Sequence, residues 1–79
     1  MSPGRLDSLT REMIAVAVSA TNGCTYCANS HTLAARKLGM GNEMLGELLS
    51  VFGLFNQTNR LAEGYQVEVD AQILAARPG

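Results

Sequence analysis

Hydrophobic residues recur at helical spacing along almost the whole chain. Leu9, Met13, Val16 and Ala20 follow one another at intervals of four, three and four, which places them on one face of an α-helix. At about 100° per residue, Ile14 and Val18 fall on the opposite side. A helix apolar on two sides is expected to lie between neighbours, and in so short a chain one of them is expected from another subunit. Asp7 or Ser8 can cap its start, and Asn22-Gly23 ends it, Gly23 being suited to a left-handed cap. A second helix is expected from Cys24 or Thr25 to Lys37, before a break at Gly39 and Gly41. The third starts at Asn42 as N-cap, with Glu43 in its first turn, and runs to about Gly64. Its buried stripe is expected to be Leu45, Leu48, Leu49, Phe52 and Phe55, and Gly53 within it predicts close helix contact. Asp70 to Ala76 predicts a short last helix capped by Asp70, between a loose leader over Met1–Leu6 and a terminal Pro78-Gly79. No stretch alternates with the period of a strand. The pattern predicts an all-α fold, a small bundle of three to four helices forming one domain over residues 1–79.

Composition sharpens this in two ways. With 47% hydrophobic and 16% charged residues in 79, the chain is richer in apolar side chains than a small core absorbs, which predicts a homo-oligomer. Six basic against seven acidic residues leave no basic stripe to follow a phosphate backbone, so no nucleic acid partner is expected. The longest apolar run, Met13 to Val18, falls far short of the roughly 20 residues of a membrane span. The opening MSPGRLDSLTRE lacks the charged start and apolar core of a secretory signal, so a cytoplasmic chain is expected.

The chemistry is concentrated in NGCTYCANSH, residues 22–31, which holds both cysteines and the single histidine. Cys24, Cys27 and His31 stand three and four apart, along one stripe of the second helix with Ala28, Ala35 and Leu38. The cysteines sit at the helix start, where unpaired N–H groups and the positive dipole end favour thiolate, the nucleophilic form. A C-x-x-C pair also closes into a disulfide, one sulfur attacking and the other resolving. Other readings of these residues exist. A structural disulfide over four residues is worth only about 2 kcal/mol on the chain-entropy estimate. A zinc site would need a fourth ligand, Glu12 or water, and convergence of side chains spread over about 10 Å of helix. An ordinary core with two buried thiols and one satisfied imidazole is the third. The joint placement at a helix start favours redox chemistry. His31 and Glu12, the latter at the edge of the first helix's packed face, are the candidate acceptors for a thiol proton.

Glu12, eleven residues, Cys24-x-x-Cys27, three residues and His31 make the pattern E-x(11)-C-x-x-C-x(3)-H. With LTREMIAVAVSATNGCTYCANSH, AARKLGM and FGLFNQTNRLAEGYQVEVD around it, the chain resembles the alkylhydroperoxidase D-like core of the carboxymuconolactone decarboxylase superfamily, over residues 6 to 70. The resemblance implies an all-α fold that assembles into oligomers. It implies a thiol-dependent antioxidant oxidoreductase that reduces hydroperoxides or passes electrons to a partner peroxidase. Carried over, Cys27 is the attacking thiol, Cys24 the resolving one, the two form a redox-active disulfide, and Glu12 with His31 form a proton relay. The implied partners are a hydroperoxide and a thiol or dithiol reductant, and no metal, flavin or haem is required. Tyr26 stands where a well-known member has histidine. A phenol, ionised only near pH ~10, can support the site by donating a hydrogen bond but does not carry protons at neutral pH. The alternatives are a decarboxylase-like lyase, which would want cationic anchors rather than paired thiols, and a non-catalytic helical module whose thiols sense oxidation.

Overall fold

The computed structural model describes residues 4–76 and 78, so the expected leader is seen only from Gly4 onward. Four helices follow one another: α1 (Ser8–Asn22), α2 (Thr25–Lys37), α3 (Asn42–Gly64) and α4 (Ala71–Ala76). There is no strand among the described residues.

Local chemistry sets each boundary. Asp7 caps α1, its Oδ1 accepting the Thr10 N–H at 2.7 Å. Gly23, at φ 75°, turns the chain out of α1 in the left-handed region, and its N–H donates to Ala20. The next N–H, of Cys24, donates to the Ser19 carbonyl at 2.9 Å, so two of the last carbonyls of α1 are satisfied within the turn. After α2, Gly39 takes φ 112° and the Met40 N–H returns to the Ala35 carbonyl at 3.0 Å. That closure folds Met40 inward, where it is buried with Ala35. Asn42 is not the cap of α3. Gly41 holds that position, and the Asn42 side chain accepts from Arg36 Nη1 at 2.7 Å instead, tying the end of α2 to the start of α3.

α1 is the central element. It packs against α2 and, more lightly, against α3, where Asn56 donates to the Thr21 hydroxyl at 2.9 Å. Val16, Ser19, Ala35 and Met40 are the buried residues among those described. The expected α3 stripe is shallower than its pattern predicts: Leu45, Leu48 and Phe52 are half-buried, while Leu49 and Phe55 are exposed. Leu38 is likewise exposed, because the chain has already left the helical path there. A Cβ at Gly53 would meet nothing within 4 Å, so among the described residues no other helix approaches that position closely. Ile14 and Val18, at 48% and 53% exposure, form an open second face on α1. α4 packs against none of the other helices.

The Asp7 cap makes stability depend on pH. Its hydrogen bonds from Thr10 hold the carboxyl below the usual 3.8. A depressed carboxyl stabilises the fold above its unfolded-state value and loses that contribution as the pH falls through the folded-state value. Asp7→Ala should therefore melt at a lower temperature than the parent at pH 6. The gap should narrow in thermal scans taken below the usual 3.8.

Candidate redox site

The α1–α2 packing positions the site. The Gly23 turn sends α2 back alongside α1, and Glu12 then meets His31, nineteen positions later, with Oε2 2.7 Å from Nδ1. Their side chains are 23% and 39% exposed, so the pair is neither sealed nor fully solvated. At that exposure the contact contributes about 1 kcal/mol or less to stability. Its main effect is orientation: a carboxylate on Nδ1 fixes the ring and leaves Nε2 for other partners.

Cys24 is the N-cap of α2 rather than its first helical residue. Its sulfur accepts the Cys27 N–H at 3.3 Å, taking the place that a serine or aspartate oxygen has in an ordinary cap. Cys24 and Cys27 are joined as a disulfide, with Cα atoms 5.3 Å apart, inside the range such a bond needs. Both are half-buried. One turn below, the Ser30 hydroxyl donates to the Cys27 carbonyl at 3.2 Å. The sequence-expected residues thus fall into two joined pairs on α2 and its packing face: Cys24 with Cys27, and His31 with Glu12. Tyr26 lies apart, 83% exposed on the outer side of α2. Among the described residues no three His, Cys, Asp or Glu side chains cluster as a metal-holding group.

Ser19 is the participant that the residue pattern did not single out. It is buried on α1, its carbonyl accepts from Cys24, and it lines a small hollow of about 220 Å³ beside that cysteine with Thr25, Ala28 and Asn29. A polar residue on the face that also carries Val16 was the available signal.

The profile of the carboxymuconolactone decarboxylase family matches residues 1–67, most of the chain. The chain belongs to the carboxymuconolactone decarboxylase family. Among solved structures it is similar to an alkylhydroperoxidase AhpD core from Rhodospirillum rubrum. The two are 50% identical with a TM-score of 0.89, over 94% of this chain and 54% of that one. A curated relative, uncharacterized protein 4 in the cox locus of Paracoccus denitrificans, is 40% identical over 48 residues, covering 61% of this chain and 43% of its own length. Another, uncharacterized protein YdfG of Bacillus subtilis, is 47% identical over 34 residues, covering 43% of this chain and 23% of its own. The chain spans less than half the length of either curated relative. No helix among the described residues is long and apolar enough to cross a membrane.

The Cys24–Cys27 pairing is directly measurable. Intact-mass spectra of protein treated with a dithiol should show a gain of two hydrogens, and one equivalent of hydrogen peroxide should remove them again. Thiols that stay free under peroxide while another residue gains oxygen would contradict the pairing.

Proposed function

We propose that this family member is a small thiol-dependent peroxidase that reduces hydroperoxides through Cys27 and Cys24. The observation that carries the reading is the 2.7 Å Glu12–His31 contact on the helix that holds the Cys24–Cys27 pair. A disulfide alone has a structural explanation. A carboxylate-oriented imidazole one turn from its second sulfur has a use in moving the thiol's proton.

The cycle balances as follows. His31, oriented by Glu12, takes the Cys27 thiol proton. The thiolate attacks a peroxide oxygen: the S–O bond forms, the O–O bond breaks, and the departing alkoxide takes the proton from His31 and leaves as alcohol. Cys27 is now a sulfenic acid. Cys24 attacks the Cys27 sulfur, an S–S bond forms, and the hydroxyl leaves as water after taking a proton. A dithiol, or a partner peroxidase using the pair as electron donor, exchanges with the disulfide and supplies two electrons and two protons. The half-buried Cys24, beside its small hollow, is the sulfur we assign to that exchange. Reducing equivalents of this kind are held in the cytoplasm, the compartment that suits this reading.

Steady-state peroxide consumption with dithiothreitol as reductant tests it. Cys27→Ser should abolish turnover. Glu12→Gln, which keeps the shape and removes the charge, should slow it by about 10²- to 10⁴-fold with an unchanged helical circular dichroism spectrum. Turnover that survives Cys27→Ser would refute the Cys27 mechanism, and a reduced parent chain that consumes no peroxide would leave the lyase or the oxidation-sensing module.

A further inference from the structure

The end of the molecule that carries the disulfide has no formal charge. Between Glu12 and Arg36 the sequence holds no Asp, Glu, Lys or Arg, and the same is true between Glu47 and Arg60, in a chain that is 16% charged. The fold puts the two stretches together: Thr21, near the end of α1, accepts from Asn56 of α3 at 2.9 Å. The hollow beside Cys24 lies on this end, and its lining is uncharged throughout.

Three side chains make the hollow polar. Ser19, only 9% exposed, lines it from α1, while Thr25 and Asn29 line it from the first turns of α2. None of the three side chains makes a hydrogen bond among the described residues. A hydroxyl as enclosed as that of Ser19, with no protein partner, is one that a ligand can satisfy. Two hydroxyls and a carboxamide match the neutral donors and acceptors of peptide groups. The volume of about 220 Å³ is below the roughly 300–1,000 Å³ of a small-molecule pocket, but it admits a cysteine side chain and the peptide groups beside it. Tyr26 stands three residues before Asn29, hence beside it on the helix surface, and is 83% exposed. The peroxide chemistry makes no use of it there. An exposed tyrosine next to a reactive hollow is the residue type that anchors a protein partner.

We propose that this hollow receives a cysteine of a protein dithiol donor, that Ser19, Thr25 and Asn29 bond the peptide groups beside that cysteine, and that Tyr26 packs on the same segment. The charge-free surround selects donors with no charge flanking the thiol. This rests on the reading of Cys24 as the exchanging sulfur and names its partner. The donor's thiol gives its proton to water and its sulfur attacks Cys24. An S–S bond forms between them, the Cys24–Cys27 bond breaks, and Cys27 leaves as a thiolate that takes up a proton. The donor's second thiol loses its proton and attacks the donor's own sulfur in the mixed disulfide. Cys24 leaves and is protonated, and the donor departs as a disulfide, oxidised by two electrons.

Reduction of the oxidised chain, followed by alkylation and intact mass with no peroxide present, tests this. The probes are acetyl-Cys-Gly-Gly-Cys-amide, the same peptide with an aspartate added at each end, and dithiothreitol, which has no amide. Each rate is divided by that dithiol's rate on bis(2-hydroxyethyl) disulfide, which removes differences in thiol acidity. The neutral peptide should then exceed both others by about fivefold or more, the worth of one hydrogen bond. Ser19→Ala and Tyr26→Ala should each lower its preference over dithiothreitol. Asn29→Lys should speed the acidic peptide by about fivefold, the attraction of close unit charges in water, and Asn29→Asp should slow it. Equal normalised rates for the three dithiols overturn the proposal, as does a preference that Ser19→Ala and Asn29→Lys leave unmoved. A faster rate for dithiothreitol makes the donor a small thiol and overturns it too. Because no peroxide is present, loss of this selectivity strikes the donor assignment alone. Selectivity in a chain that consumes no peroxide keeps the donor site and removes the peroxidase.

Discussion

The left-handed turn at Gly23 is the constraint on which the rest of the structure depends. A backbone at φ 75° reverses the chain between α1 and α2, and two consecutive N–H groups bond back to Ala20 and Ser19 to hold the reversal. From that turn, Glu12 lies eleven residues back and His31 eight residues forward, about 16 Å and 12 Å of helical rise. Two helices returning along each other bring those positions level. The same turn ends one helix and begins the next with Cys24 as cap, so the sulfurs stand at the end of α2 where N–H groups are free to meet them. A β-branched residue at position 23 would disfavour the left-handed conformation and disturb the α1–α2 register, and with it the Glu12–His31 contact.

The second constraint is a shortage of interior. Only Val16, Ala35 and Met40, with Ser19, are buried among the described residues, although nearly half the chain is hydrophobic. The Cys24–Cys27 and Glu12–His31 pairs need little core, because α1, α2 and the turn between them hold both. The remaining apolar residues lie on the outer face of α1, on α3 and on the tail, where they are exposed.

Much of this was legible in the residues, because helical period, caps and breaks are local. The limits of α1 and α2, the extent of α3 and the left-handed Gly23 follow from spacing and from single residue types. The spacing of Glu12, Cys24, Cys27 and His31 also carried the family resemblance, which the profile match over residues 1–67 supports. What failed depended on distance. Leu49, Phe55 and Leu38 fit a periodic stripe, yet all three are exposed. Asn42 has the chemistry of a cap but Arg36 takes its side chain. Met40 looked like loop, and is buried because Gly39 bends the backbone inward. Ser19 serves Cys24 through its carbonyl, which no side-chain pattern records.

In the proposed cycle Glu12 acts on Cys27 through His31. It is tested most directly by the pH dependence of Cys27 alkylation in reduced Cys24→Ser protein, with and without Glu12→Gln. Glu12→Gln should slow alkylation at neutral pH and move the rise in rate to higher pH, because the imidazole loses the carboxylate that orients it as acceptor for the thiol proton. Superimposable profiles from two equally folded proteins would contradict it and leave the 2.7 Å pair as a structural contact between two helices.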